Sequence, residues 1–193
     1  MQIDTTALDG VLILTPARHG DARGFFSESW NRARLAEAGI TADFVQDNHS
    51  LSAAIGTVRG LHYQTPPHAQ GKLVRCGRGA LLDVAVDIRR GSPTYGQWVA
   101  EELSFENGRQ LWIPPGFAHG FVTLTADTEI IYKCTAYYAP DCDRAIAFDD
   151  PALGIDWGVP RAAAVLSAKD AAAPLLQDAD NPFVWPVSEE AQP

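Results

Sequence analysis

Short apolar segments separated by turn residues run through most of the chain. An early run at Val11–Leu14 is followed by Leu73–Cys76, Ala80–Ile88, Gln97–Leu103, Gln110–Ile113, Gly120–Leu124 and Glu129–Ala136. Glycine, proline and Asn-Gly pairs stand between these segments, where chain reversals are expected. Within them, Asp83–Ile88 alternates polar and apolar residues, which predicts a strand with one buried and one solvent-facing side. Regularly spaced short strands predict an all-β fold, a sandwich or barrel of the jelly-roll type.

One early segment has helical character instead. Ser29–Ala38 is rich in Ala, Arg, Leu and Glu, which favour helix. Asn31 or Ser29 is suited to cap its start, and Gly39 is suited to end it. We therefore expect one early helix in this segment.

The chain has 193 residues, enough for one domain with a substantial core. No repeat or linker divides it, so we predict a single domain over residues 1–193. From about Pro151 onward the sequence is richer in Pro and Ala, and we expect this C-terminal arm to pack short helices on the barrel. Ser188–Pro193 is predicted to fray.

Composition narrows the class of protein. Hydrophobic residues make up 46% and charged residues 20%, and the formal net charge is −9. An acidic chain lacks the basic footprint that nucleic acids require. No apolar run is long enough to cross a membrane, and the start has no signal-peptide pattern. Three cysteines without zinc-ligand spacing fit reduced thiols, so a cytoplasmic location is expected.

Two histidines lie in unusual settings. Pro114-Pro115-Gly116-Phe117-Ala118-His119 matches the second cupin motif, Pro-x-Gly-x-x-His. Metal-binding cupins carry His-x-His and a later Glu in the first motif, whereas this chain has His62-Tyr63-Gln64. Two imidazoles are too few for a stable metal site, which normally has three or four protein ligands. The sequence therefore predicts a cupin-like, double-stranded β-helix jelly roll without a metal.

A histidine without a metal can act as a base, because its unperturbed pKa is near ~6.5. His62 would need a carboxylate to orient it, and Asp170 could supply one if the arm folds back, although spacing alone does not establish this pairing. Lys72 is the natural cation to stabilise an enolate oxygen. Tyr132 is a candidate proton donor.

Long stretches of the chain resemble one family, the dTDP-4-dehydrorhamnose 3,5-epimerases. The matches cover about residues 18 to 176 in order and include Asp21–Glu28, Phe44–Ser50, Arg59–Gln64, Gln70–Arg75, Asp83–Arg89, Leu111–Phe121 and Leu166–Asp170. The resemblance implies an isomerase that inverts C3 and C5 of dTDP-4-dehydro-6-deoxy-D-glucose to give dTDP-4-dehydro-L-rhamnose, for dTDP-L-rhamnose biosynthesis. It implies no cofactor.

The resemblance also implies roles for individual residues. His62, paired with Asp170, accepts the proton, Lys72 steadies the enolate, and Tyr132 donates a proton, mainly for the C5 inversion. The implied substrate contacts are Arg23 and Arg59 at the diphosphate, Gln46 and Asn48 at the nucleotide sugar, Glu28 and a stacking Tyr138 at the thymine, and His119, Lys169 and Asp143 elsewhere in the site. Asp143 replaces the usual Glu. Homodimers are usual in the family, with Arg23 and Glu28 reaching the neighbouring subunit's site.

Three other functions are compatible with parts of the pattern. A mono-epimerase would invert only C3 or C5 of a related dTDP-4-keto-6-deoxy sugar. A metal-dependent cupin oxygenase would need ligands that the His62 segment lacks. A binding module without catalysis would not need His62, Lys72, Tyr132 and Asp170 together. Each residue also has a plain structural alternative, such as core packing for Tyr132 or helix capping for Asp170.

Overall fold

A computed structural model describes residues 1–186, and the predicted fraying of Ser188–Pro193 lies outside the described residues. The strands are β1 Gln2–Thr5, β2 Leu12–Thr15, β3 Arg18–Asp21, β4 Gly24–Ser27, β5 Gln46–Ser52, β6 Val58–Gln64, β7 Lys72–Arg78, β8 Ala80–Asp87, β9 Trp98–Ser104, β10 Gln110–Ile113, β11 Phe117–Thr123, β12 Thr128–Cys134 and β13 Asp143–Ala145. The helices are α1 Arg32–Glu37 and α2 Ala168–Ala171, with 3₁₀ turns at Pro140–Cys142, Arg161–Ala163 and Leu176–Asp178.

The strands form two antiparallel sheets and a hairpin. The six-stranded sheet has the order β1-β2-β10-β7-β12-β5, and the five-stranded sheet has the order β13-β6-β11-β8-β9. Within residues 1–186, strands β3 and β4 pair only with each other. Most neighbours in a sheet are distant in sequence, as in a jelly roll. The predicted all-β, cupin-like jelly roll is therefore confirmed.

Apolar residues pack in three layers. Between the sheets, Val74 and Phe121 belong to a buried cluster. Outside the six-stranded sheet, Leu35 of α1 packs with Trp112. Outside the five-stranded sheet, Trp157 packs on residues of the barrel. Each sheet is therefore covered on both faces, and the C-terminal arm forms the cover on one side. None of the helices within residues 1–186 is long and apolar enough to cross a membrane.

The prediction of a half-buried strand at Asp83–Ile88 is wrong. Val84 and Val86 are fully buried because the arm covers the outer face of this sheet. Asp83 and Asp87, on the inner face, are also fully buried. Both carboxylates have partners, as buried charges require: Asp83 binds a histidine, and Asp87 binds Arg89 with an Nη2–Oδ2 distance of 2.7 Å.

The predicted early helix is present but shorter than expected. It starts at Arg32 rather than Ser29, because Asn31 is the N-cap and its side chain accepts a hydrogen bond from the backbone N–H of Arg34. Gly39, with a φ of +85°, follows the last turn. A left-handed glycine in this position ends a helix, as the sequence predicts.

Candidate active site

Two histidines face each other on neighbouring strands of the five-stranded sheet. His62 of β6 is directly opposite His119 of β11. The strands approach closely beside this pair, since a Cβ atom on Gly60 would lie 2.6 Å from the Cα of Gly120. Gly60 also has a φ of +114°, which a residue with a side chain rarely adopts. These glycines therefore allow the backbone geometry that brings the two imidazoles together.

His62 pairs with a carboxylate from the C-terminal arm. Its Nε2 lies 2.5 Å from Oδ1 of Asp170, which is 4% exposed. The Ser167 hydroxyl, 2.7 Å from Oδ2, donates to the same carboxylate. Burial raises the pKa of Asp170, but hydrogen bonds from His62 and Ser167 outweigh it, and the net pKa is lowered. The ionised carboxylate therefore accepts from Nε2–H and leaves the lone pair of His62 on Nδ1.

His119 pairs with a different carboxylate. Its Nε2 lies 2.7 Å from Oδ1 of Asp83, and both residues are buried. Burial lowers the pKa of His119, although Asp83 opposes the shift. The second oxygen of Asp83 has no hydrogen-bond partner within residues 1–186. Asp83 was not among the residues predicted for the site, and its one signal in the sequence is a carboxylate with apolar neighbours in a largely apolar strand.

The acid–base side chains line two adjoining cavities. One, of about 430 Å³, is lined by Arg59, His62, Lys72, His119, Tyr132 and Asp170, among others. The other, of about 230 Å³, is lined by Gln46, Asn48, His62, Lys72, Tyr132, Tyr138, Asp143 and Lys169, among others. His62, Lys72 and Tyr132 border both cavities, so they lie where the two meet. In the described part of the chain, no three His, Cys, Asp or Glu side chains converge as metal ligands.

Lys72 and Tyr132 come from the six-stranded sheet, opposite the histidines. Burial lowers the pKa of Lys72, while Cys134 and Asp83 raise it. Burial raises the pKa of Tyr132, and a side-chain hydrogen bond with Asn48 partly opposes the increase. The site thus combines a base with a free lone pair, a cation and a protonated phenol around two adjoining, partly enclosed cavities.

Polar groups that line the second cavity are connected by hydrogen bonds and an ion pair. The backbone N–H of Tyr138 donates to Oε1 of Gln46 at 2.9 Å, and its hydroxyl donates to Oδ2 of Asp143 at 3.3 Å. Lys169 forms an ion pair with the same carboxylate. The Tyr138 ring is 58% exposed and borders the cavity, so one face is free to stack on a flat ligand.

The arginines predicted at the diphosphate occupy different places. Arg59 lines the first cavity, and its Nε donates to the Ser52 hydroxyl at 3.2 Å. Arg23 is on the β3–β4 hairpin with its side chain 89% exposed, paired with Asp21 at 2.5 Å. Glu28, just after the hairpin, accepts from Asn31 instead. Arg23 and Glu28 therefore lie outside the cavities of their own chain.

Comparisons with known proteins agree with this architecture. A family model described as dTDP-4-dehydrorhamnose 3,5-epimerase matches residues 5–178. The dTDP-4-dehydrorhamnose 3,5-epimerase of Sinorhizobium fredii is 56% identical over 181 residues, covering 91% of this chain and 90% of that protein. The crystal structure of dTDP-6-deoxy-D-glucose-3,5-epimerase from Legionella pneumophila, in complex with dTDP-4-keto-L-rhamnose, has a TM-score of 0.87 and 49% identity, covering 100% of this chain and 97% of that chain.

A solved structure with a different activity is also similar. It is a 3'-monoepimerase from Streptomyces bikiniensis in complex with dTDP-quinovose, with a TM-score of 0.81 and 34% identity, covering 89% of this chain and 86% of that one. Fold and sequence together define the present protein as a cupin-like sugar-nucleotide isomerase. The chain belongs to the dTDP-4-dehydrorhamnose 3,5-epimerase family. The family resemblance found in the sequence is confirmed.

Proposed function

We propose that this protein inverts both C3 and C5 of dTDP-4-dehydro-6-deoxy-D-glucose to give dTDP-4-dehydro-L-rhamnose. The observation that carries the proposal is the meeting of the His62–Asp170 pair, Lys72 and Tyr132 at the junction of two cavities. The C4 ketone of such a sugar acidifies the hydrogens on both neighbouring carbons. Inversion at those carbons requires a base, a group that stabilises the enolate oxygen, and an acid.

His62 begins the reaction. Its Nδ1 takes the proton from the carbon beside the ketone, and the electron pair of the broken C–H bond moves onto the C4 oxygen. Asp170, 2.5 Å away, stabilises the imidazolium that forms. A positioned base of this kind is worth roughly 10²–10⁴ in rate.

Lys72 and Tyr132 complete the inversion. The ammonium of Lys72 stabilises the enolate oxygen in a space from which water is largely excluded, which strengthens the interaction. Tyr132 donates a proton to the face opposite His62, chiefly at C5. The electron pair then returns from oxygen to carbon, the ketone reforms, and the centre is inverted.

The remaining polar residues hold the substrate. Arg59 binds the diphosphate, Gln46 and Asn48 contact the nucleotide sugar, and Tyr138 stacks on the base. His119, Asp143 and Lys169 line the same space. Barrel and arm act as one catalytic domain, because His62 comes from the barrel and Asp170 from the arm.

The protein works as a homodimer in which Arg23 and Glu28 reach the partner's site. This assignment is supported by their exposure on and beside a hairpin that pairs with no other strand in the described part of the chain. Sedimentation should give a dimer, and mixing Arg23→Ala with His62→Asn protein should restore activity to a fraction of the sites. Absence of restored activity would place Arg23 outside the partner's site. Three free cysteines fit a reducing, cytoplasmic environment.

The decisive experiment is solvent exchange. The substrate is incubated with enzyme in D₂O, and deuterium is located by mass spectrometry and NMR. Enzyme-dependent deuterium at both C3 and C5 is expected, and His62→Asn should abolish it. Absence of uptake above the enzyme-free blank would overturn the proposal.

A second candidate is mono-epimerisation. It is favoured by the structural likeness to the 3'-monoepimerase from Streptomyces bikiniensis. The same experiment separates the two, because a mono-epimerase would leave one deuteron in the product, at C3 or at C5. Tyr132→Phe provides the reference pattern, because loss of the phenol should shift a double epimerase toward a product with deuterium at one carbon only.

A further inference from the structure

Two neighbouring strands of the six-stranded sheet bring four polar side chains to the inner face. Asn48 of β5 is directly opposite Tyr132 of β12, and Gln46 is directly opposite Cys134. Because successive side chains alternate between the faces of a strand, residues two apart share one face. Gln46, Asn48 and Tyr132 all border the second cavity, and Cys134 is fully buried beside them.

The hydrogen bonds between these groups have a defined direction. The Tyr138 backbone N–H donates to Oε1 of Gln46 at 2.9 Å, which fixes the oxygen end of that amide. The amide nitrogen of Gln46 must therefore face Asn48, and it donates to Oδ1 of Asn48 at 3.0 Å. With its oxygen turned toward Gln46, the Asn48 amide presents its two N–H groups to the neighbouring strand β12.

One of these N–H groups points at Cys134, because Nδ2 of Asn48 lies 3.6 Å from the sulfur of Cys134. Tyr132 is the cross-strand neighbour of Asn48 and borders the same cavity, and the Asn48 side chain lowers the pKa of the Tyr132 phenol. The thiol stays protonated near neutral pH, because burial raises the pKa of Cys134 to about 11. It therefore accepts from the amide without adding a negative charge to the cavity.

We propose that Gln46 and Asn48 are positioning residues, which orient the Tyr132 hydroxyl for proton donation and connect it to the loop that carries Tyr138. The inference rests on the proposed function of Tyr132 as the acid. An N–H donated to the phenol oxygen occupies one lone pair, so the phenol O–H is directed elsewhere, into the cavity. This series of hydrogen bonds begins at the backbone N–H of Tyr138, the residue assigned to stack on the thymine. The Tyr132 hydroxyl is therefore best oriented when the loop that carries Tyr138 is in place.

The same bond affects acidity. Burial raises the pKa of Tyr132. An N–H from Asn48 opposes this increase, because it stabilises the phenolate that remains after the proton has been donated. The other charged or titratable groups that act on Tyr132 are Cys134, Arg59 and Asp143. Asn48 differs from these three groups because its amide is held by two other hydrogen bonds, one from Gln46 and one to Cys134.

The test uses substitutions that replace an amide donor with a carboxylate oxygen of nearly the same shape. Asn48→Asp puts an acceptor where Asn48 donates, and Gln46→Glu removes the donor that fixes Asn48. In D₂O with the same substrate, both variants should lower deuterium incorporation at C5 relative to C3 by at least about tenfold. The ratio is the readout, because a residue that only contacts substrate would raise KM and slow both positions together.

Asp47→Asn is the matched control. Asp47 lies between the two residues on β5 but points outward, where it pairs with Lys133 at 3.0 Å. It should keep the wild-type ratio. Cys134→Ser, which keeps an acceptor for the Asn48 amide, should stay near the wild-type ratio, and Cys134→Ala should lower it.

Three results would be informative. A selective loss at C5 in both shape-preserving variants supports the proposal. Equal losses at C3 and C5, with a higher KM, would overturn it in favour of substrate contact alone. Absence of exchange in the wild-type enzyme would instead overturn the proposed function, so the two failures are distinct. Should either variant fail to fold, judged by its circular dichroism, the Cys134→Ser and Cys134→Ala pair decides.

Discussion

His62 and His119 are directly opposite each other on β6 and β11, yet each binds an aspartate from a different part of the fold. Asp170 comes from the arm, while Asp83 comes from the neighbouring strand β8. The His62 side chain is 29% exposed and the His119 side chain 8%. Two similar pairs therefore differ in access: the His62 ring is open to the cavity, whereas His119 borders the same cavity with little of its side chain exposed.

Replacing Asp170 with Asn should disable the accessible pair. The amide can donate to the imidazole, which would place the lone pair of His62 on the wrong nitrogen. We expect kcat to fall by roughly 10²–10⁴, with little change in KM. A coupled assay of product formation gives both constants.

Asp150→Asn is the matched control for that substitution. Asp150 is also a buried carboxylate near the arm, but it accepts from the backbone N–H of Leu176 at 2.7 Å rather than from an imidazole. It should lower thermal stability while kcat stays near wild type. Equal kcat losses in the two variants would mean that Asp170 acts only through folding.

The buried pair should make stability depend on pH. Burial lowers the pKa of His119 below its ordinary value of 6.5. The unfolded chain then binds a proton that the folded chain does not, so stability is complete above pH 6.5 and is lost as pH falls toward the folded pKa. Asp87 and Asp170, with lowered pKa values, add their losses only below their ordinary value of 3.8.

Urea unfolding at a series of pH values measures this dependence. Between about pH 6.5 and 5, the slope of unfolding free energy against pH should be smaller in His119→Gln than in wild type. The variant's absolute stability does not matter, because the slope is compared. Identical slopes would contradict a neutral His119 in the folded protein.

Lys72 should set an alkaline limit on activity. In the proposed reaction its charged form stabilises the enolate, and burial lowers the pKa of Lys72 below the ordinary value of 10.5. The kcat profile should therefore fall with rising pH before 10.5 is reached. Lys72→Met should reduce exchange at C3 and C5 alike, by roughly 10²–10³.

Lys133→Met serves as the control for Lys72. Lys133 is also on the six-stranded sheet but pairs with Asp47 outside the cavities. Its removal should leave the deuterium pattern unchanged. If Lys72→Met slowed deuterium exchange at only one of C3 and C5, the prediction that the ammonium stabilises both enolates would be wrong.

Arg89 should be important for stability rather than catalysis. It binds the fully buried Asp87 and lies between the rings of Phe117 and Trp185, at 4.4 and 4.3 Å from their centroids. Arg89→Ala leaves a buried carboxylate without its partner, which costs about 3–5 kcal/mol. Urea unfolding should detect this loss, whereas Arg32→Ala, in an exposed pair with Asp43, should change little.

Much of the fold could be predicted from the hydrophobic pattern, with clear exceptions. Strands β7 to β12 have apolar residues at the expected spacing, and the predicted segments overlap all of them. The pattern did not indicate β5 or β6. Strand β5 is polar on both faces, because its inner side chains line a cavity and its outer ones face solvent. Strand β6 contains the left-handed Gly60 and bulky polar residues.

The site was less accessible to sequence reasoning without the family resemblance. Residue types suggested His62 and Lys72, but the contact between His62 and Asp170 joins residues 108 positions apart. Such a contact depends on how the arm crosses the barrel, which periodicity does not encode. The failure to anticipate the burial of Val84 and Val86 has the same origin, since the arm covers the outer face of the sheet that carries them.

The arm helix α2 spans a single turn, and two consecutive residues in it have partners at opposite ends of the site. Lys169 binds Asp143 beside Tyr138, and Asp170 binds His62. In the proposed function, one peptide unit of the arm thus connects the loop that binds the nucleoside with the imidazole that accepts the proton. A substrate with a longer or shorter link between base and sugar could not be accommodated by shifting either end alone, so selection for linkage length would be built into the backbone of the arm.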